Sequence, residues 1–140
     1  MKRIITGLLM MLMSTVGWAG SAFLPQDKGY SCLIVIGYMP NDDGKLVEFP
    51  LGGGYEFTID RGTGRTIGAL SNYATNTLGD FQPTVLHRGN KEQYFKAVTI
   101  YPTQQPLVET LIVEEFAGTK EKPFVFTRNA KIITGTCENI

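Results

Sequence analysis

The feature that most limits the fold of this chain is the regular spacing of its turn-forming residues. Glycine, proline, asparagine and aspartate recur about every eight to twelve positions, and the runs between them are short and rich in Val, Ile, Thr, Tyr and Phe. Beyond the first 22 residues, no helical apolar period lasts longer than two turns. The pattern therefore predicts an all-β fold of about eight strands, either a single antiparallel β-sandwich or a small β-barrel. Both architectures give the same alternation, so the sequence does not distinguish them.

The predicted strands are joined by short turns, which favours antiparallel pairing. The first, over residues 30–39, is apolar on both faces, so we expect it in the centre of the sheet or covered on both sides. A polar loop is predicted over 71–82 and a last turn near Asn129. The remaining strands are predicted within 55–60, 65–70, 83–88, 92–101, 106–116, 123–128 and 130–137, and residues 46–49 could add a short returning strand.

The first 22 residues are organised like a secretory signal peptide. Two basic residues precede a mostly apolar run, and small residues place the cleavage after Ala19 or Ala22. The run is shorter than the about 20 residues that span a bilayer; an uncleaved anchor or a buried helix is the alternative. We therefore expect residues 23–140 to form one β domain, periplasmic or secreted, and not an integral membrane protein.

The charge balance argues against a nucleic-acid partner. The whole chain has 13 Lys and Arg and 13 Asp and Glu, and the leader carries two of the basic residues and none of the acidic ones. The remaining domain is therefore near −2, whereas nucleic-acid-binding domains usually present a basic face. The expected partner is a protein or a component of the cell envelope.

The two cysteines, Cys32 and Cys137, lie near opposite ends of the predicted domain. An even cysteine count in an exported protein favours a disulfide. We expect this bond to join the first and last strands. A redox-active or metal-binding pair is the alternative, but the chain has no CxxC motif and only one histidine.

The most motif-like stretch is YEFTIDRGTGRTIGAL, residues 55–70. Apolar and polar residues alternate up to Asp60, glycines interrupt the run, and the alternation then resumes. This pattern is typical of a β-hairpin with its tip around residues 60–64. A second interpretation is that Arg61 and Arg65 grip an anion with the turn amides. These two arginines, with Tyr73 and Phe81 in or beside the predicted loop, are the candidate binding residues.

The residues needed for catalysis are sparse. His87 is the only imidazole, and no GxSxG segment accompanies it. Glu114 and Glu115 are adjacent on a predicted strand, so they point to opposite faces and one of them could act as an acid. A zinc site needs three or four ligands of the Cys, His and acidic types, which this composition does not readily supply. We expect a non-enzymatic protein without a cofactor or metal.

Two segments resemble a group of small, uncharacterised exported proteobacterial β-domain proteins. They are FTIDRGTGRTIG (57–68), with an F-x-I-D-x-x-T-G pattern, and 113–137, with a KPF segment and a terminal G-x-C. The chain also resembles periplasmic inhibitors of C-type lysozyme, small β-barrels with an early Y-x-C segment, here Tyr30–Cys32, and a late cysteine. The serine-and-glycine motif of that family is not matched, so no inhibitory residue is carried over.

These observations lead to one functional expectation and two alternatives. The expectation is a binding or inhibitory module for an envelope or hydrolase partner. The alternatives are a structural or assembly component of the envelope and a small envelope hydrolase.

Overall fold

A computed structural model describes residues 28–52, 54–70, 81–102 and 104–140. Its elements there are nine antiparallel β-strands: β1 (Gly29–Pro40), β2 (Leu46–Glu48), β3 (Glu56–Asp60), β4 (Thr66–Gly68), β5 (Thr84–Asn90), β6 (Gln93–Tyr101), β7 (Leu107–Val113), β8 (Lys122–Arg128) and β9 (Lys131–Asn139). The all-β antiparallel prediction is confirmed. The predicted signal peptide and Tyr73 lie outside the described residues.

All nine strands belong to one sheet that curls into a half-barrel, so the structure is not a two-sheet sandwich. The order is β4-β3-β1-β9-β8-β7-β6-β5, and β2 pairs with the second half of β1. Strands β5 to β9 follow one another as a simple meander. The predicted strands correspond closely to the observed ones, and counting the three-residue β2 brings their number to nine.

The first predicted strand is central, because β1 pairs with β9 on one side and with β3 and β2 on the other. Its register with β9 shifts between Ile34 and Ile36, which marks a β-bulge. A bulge adds one residue to one strand and lets two neighbours face the same side. Ile34 is buried on the concave side, Val35 is exposed, and Gly37 lies under the ring of Phe49.

The core fills the concave side of the sheet. Aromatic rings cross this space edge to face: Tyr30 of β1 lies 5.5 Å from Phe95 of β6, and Phe57 of β3 lies 5.2 Å from Phe124 of β8. These contacts join strands that are distant in the sheet order and hold it in its curled form. Gly135 makes room for the Phe124 ring, since a Cβ there would lie 2.8 Å from it.

The core also contains a buried carboxylate that the sequence analysis missed. Glu109 is only 2% exposed; it accepts hydrogen bonds from the hydroxyl of Tyr101 at 2.9 Å and from Nε of Arg128 at 2.5 Å. Arg128 also lies over the ring of Phe126. A buried charge is tolerated when it is paired and hydrogen-bonded, and both conditions are met here.

A disulfide joins Cys32 to Cys137, as predicted. The two residues face each other in the β1–β9 ladder with their Cα atoms 3.9 Å apart, and both are buried. They are separated by 105 positions in the sequence. The bond therefore ties the first strand to the last at the point where the two already pair.

We predict that changing Cys32 and Cys137 together to alanine lowers the free energy of unfolding by about 2–5 kcal/mol. The main reason is the extra entropy of an unfolded chain released from a long loop. Urea unfolding of the variant and of the oxidised protein measures the difference. Wild-type protein unfolded in the presence of a reductant is the control, because it loses the disulfide but keeps both cysteine side chains. Unchanged midpoints in both would contradict the prediction.

Candidate functional site

The hairpin predicted over residues 55–70 is present, and its tip is tightly ordered by Asp60. One carboxylate oxygen of Asp60 accepts hydrogen bonds from the amide of Thr63 at 2.7 Å and from its hydroxyl at 2.9 Å, and the Asp60 carbonyl accepts from the amide of Gly64. The Thr63 amide and then its hydroxyl lower the pKa of Asp60 below its usual value. Asp60 thus organises the turn, as expected for such a position.

The tip does not project freely into solvent. Gly64 is buried with a φ of 74°, and a Cβ on it would come within 3.1 Å of both Pro83 and Ala97. The hairpin therefore folds over the gap between β4 and β5, the two edge strands of the curled sheet. Among the described residues no ladder joins these edges; we call this gap the seam.

Arg61 bridges the seam with its guanidinium group. Its Nε donates to the carbonyl of Arg88 at 2.6 Å, and one terminal nitrogen donates to the carbonyl of Gly89 at 3.0 Å. The same nitrogen lies 3.3 Å from Oε1 of Glu115, and the guanidinium sits 5.3 Å from the centre of the Tyr30 ring. This planar group thus connects the hairpin tip to β5, to the end of β7 and to β1.

Arg61 and Glu115 are therefore structural residues in this arrangement. Their side chains are 15% and 9% exposed. Glu114 and Glu115 are predicted to point to opposite faces, and Glu115 meets Arg61 at the seam. Anion binding by Arg61 together with Arg65 is not supported, because Arg61 already contacts Glu115 and two carbonyls.

Arg65 and Phe81, by contrast, line one cleft beside the seam. The cleft has a volume of about 780 Å³ and lies between the β3–β4 hairpin and residues 81–83. Phe81 is half-buried, with its ring 5.8 Å from Tyr101 in an edge-to-face contact. The structure thus brings together two of the four predicted binding residues, separates them from Arg61, and leaves Tyr73 outside the described residues.

The cleft combines an apolar surface with two cations. Ile67 and Ile140 are 74% and 60% exposed at its wall. Lys28 and Arg65 also line it, and neither forms an ion pair with a described residue. Asp60 is the acidic residue of the lining; its carboxylate is bonded to Thr63 and keeps its negative charge, which Arg65 helps to stabilise. The cleft therefore presents two cations and one carboxylate next to aliphatic surface.

His87 lies away from this cleft, on β5. Its Nδ1 accepts a hydrogen bond from the amide of Gly89 at 2.9 Å and lies 3.1 Å from the carbonyl of Tyr94. Among the described residues these backbone atoms are its hydrogen-bonding contacts, so no carboxylate orients the ring. A group of three or more His, Cys, Asp or Glu able to hold a metal is likewise absent from the described part of the chain.

Comparison with known proteins gives no family to which the chain can be assigned: no family model, no curated protein and no solved structure matches it. The likeness to exported proteobacterial proteins and to lysozyme inhibitors remains a prediction from sequence. In the segments that the structure describes, no helix has the length and apolar character needed to cross a membrane.

We predict that Arg61→Ala lowers the free energy of unfolding by about 2–4 kcal/mol, because it leaves the Glu115 carboxylate buried without its cation. Denaturant unfolding measures the loss. Arg65→Ala, on the same hairpin but exposed, is the matched control and should cost less than about 0.5 kcal/mol. Equal losses for the two variants would show that Arg61 does not secure the seam.

Asp60 gives a prediction about pH. Its pKa is lowered in the folded protein, so its contribution to stability is complete above the pKa of the unfolded chain, about 3.9, and is lost as the pH falls through the folded value. Between about pH 5 and about pH 2, the wild type should therefore lose more stability than Asp60→Asn. Asp42→Asn, which removes another turn carboxylate, is the control, and an identical pH dependence of Asp60→Asn and wild type would contradict the assignment.

Proposed function

We propose that this chain is an exported, non-enzymatic binding module whose cleft receives an extended segment of a partner protein. The segment carries an acidic side chain beside aliphatic or aromatic ones. The observation that carries the proposal is the convergence of Lys28, Arg65 and Phe81 on one cleft, at a sheet edge that no described strand pairs with.

The charges of the cleft favour an acidic ligand group. Lys28 and Arg65 outnumber the Asp60 carboxylate, which accepts hydrogen bonds from its own turn and interacts with Arg65 at longer range; neither cation has a carboxylate within ion-pair distance among the described residues. A carboxylate placed between them would exchange water for charge-assisted hydrogen bonds, and an arginine can make two at once. The exposed side chains of Ile67 and Ile140 supply the adjoining apolar contact.

The sheet edge favours an extended backbone. Strand β4 pairs with β3 on one side, and no described strand pairs with its other side, which borders the cleft. Unpaired edges accept an added strand, in which main-chain hydrogen bonds give affinity and side-chain pockets give selectivity. An extended segment running along β4 would place alternate side chains against the cleft wall.

Export is supported by two features of different kinds. The sequence begins with a signal-peptide pattern, and the two cysteines are joined in a disulfide, a bond that persists in oxidising compartments. The partner in this proposal is therefore a protein of the periplasm, of the envelope or of the surroundings of the cell, such as a hydrolase.

We predict that fluorescein-labelled hexapeptides alternating Glu with Val or Leu bind the protein, and that the same peptides with Lys in place of Glu do not. Short segments of this kind should bind at roughly 10–100 μM. Fluorescence anisotropy measures the affinity. Arg65→Glu should weaken binding about tenfold or more, because it reverses a charge that contacts the ligand.

The matched control for this test is Lys91→Glu, a charge reversal in the exposed turn between β5 and β6, away from the cleft. It should change the affinity less than about twofold. Equal binding of the Glu and Lys peptides, or equal effects of the two variants, would reject the cleft as the site. The same titration with a C-type lysozyme in place of the peptide tests whether the partner is a hydrolase.

A further inference from the structure

The convex side of the sheet, formed by β6, β7, β8, β9 and β1, carries two rows of cross-strand neighbours with an unusual composition. The registers connect Val98, Thr110, Thr127, Ile132 and Tyr38 in one row. They connect Lys96, Ile112, Val125, Thr134 and Ile36 in the next. We call these ten positions the outer face. Lys96 is its one charged residue, at a corner.

This composition is not that of a solvated surface. Soluble proteins usually carry charge at about a quarter to a third of their surface positions, whereas nine adjacent positions here have none. Val125 is 39% exposed, and Ile100 and Val108, which pair with each other beyond Val98 and Thr110, are 58% and 43% exposed. Each described strand makes its main contacts with its neighbours in the sheet, and no described strand packs over this face.

We propose that the outer face is the interface between two copies of this chain. Threonine and β-branched residues on a twisted sheet pack well against another sheet about 10 Å away. A two-fold interface brings the same patch together from both subunits. Charges inside such a patch would therefore face identical charges on the other subunit and repel them. The outer face avoids this repulsion because its interior has no charge and Lys96 lies at the edge.

The size of the outer face is consistent with a reversible dimer. Five strands spaced about 4.8 Å apart give a width of about 24 Å, and three residue rows, including Ile100 and Val108, give a length of about 20 Å. These dimensions give a projected area of about 480 Å². Interfaces of standard size bury about 800 Å² on each partner and weak ones less, so the expected dimer is at the weak end of the range.

The edge strands are poorer candidates for self-association. Strand β5 has a bulge between Val85 and His87, and two of its carbonyls already accept hydrogen bonds from Arg61. Bulges and covered backbone groups are the features that prevent edge-to-edge pairing. Strand β4 has only three residues, and in the proposed function its edge is taken by the segment of the partner protein.

Sedimentation velocity of the purified protein, from low micromolar to near-millimolar concentration, tests the proposal. The wild type should pass from the monomer mass towards twice that mass. Val125→Lys places a charge in the centre of the interface and should raise the dissociation constant about tenfold or more. Val47→Lys, the same change at an equally exposed position of β2 that faces the other side of the sheet, should leave it unchanged, and circular dichroism should show that both variants are folded.

A second variant, Thr127→Arg, keeps the test decisive if Val125→Lys does not fold. A wild type that stays monomeric at every concentration overturns the proposal, as does a dimer that both outer-face variants leave intact. If the wild type is monomeric and these variants instead abolish binding to a different protein, the face belongs to that partner. Arg65→Glu should not alter the dimer, so failure here is distinguishable from failure of the peptide-binding cleft.

Discussion

The pairing of β1 with β9 is the contact on which the rest of the structure depends. Every other neighbour in the sheet is joined by a local hairpin or lies within the first four strands, whereas β1 and β9 lie at opposite ends of the described chain. Without this ladder the sheet would separate into β1–β4 and the meander β5–β9. Closing so long a loop is entropically costly, and the Cys32–Cys137 bond reduces that cost at a buried pair within the same ladder.

The opposite side of the sheet is closed in a different way. At the seam, β4 and β5 do not form a ladder in the described residues, and Arg61 connects them through side-chain bonds to backbone carbonyls and to Glu115. A backbone ladder would have paired the free N–H and C=O groups of both edge strands. Closure by a side chain leaves the edge of β4 without a paired strand among the described residues, and the cleft beside Phe81 borders this edge, so the cleft is a consequence of how the half-barrel is closed.

The sequence predicts the strands well because their signals are local. Alternation over residues 55–60, the glycines after Asp60 and the turn at Asn129 each depend on near neighbours, and the observed hairpins agree with them. The disulfide was predictable from cysteine count and position. The choice between sandwich and barrel was not, because it depends on which strands distant in sequence pair, and alternation is the same in both.

The side-chain network was harder to predict for the same reason. Nothing near Glu109 in sequence indicates that Tyr101 and Arg128 contact it. The sequence around Arg61 is typical of an exposed turn, and only the tertiary structure shows that β5 lies beside it. The binding residues were predictable in part: Arg65 and Phe81 share a cleft because two edge regions meet there, whereas Arg61, four residues from Arg65, points across the seam.

The double-sided apolar character of the first predicted strand has a physical explanation with consequences for function. Its concave residues fill the core, and a β-bulge then turns Val35 and Ile36 to the convex side, where the neighbouring strands also present uncharged residues. A strand buried by its own chain on one face needs apolar residues only there. Among the described residues no strand packs over the convex side, so the apolar positions there are the basis for proposing a second copy of the chain as their cover, a role separate from that of the cleft at Arg65 and Phe81.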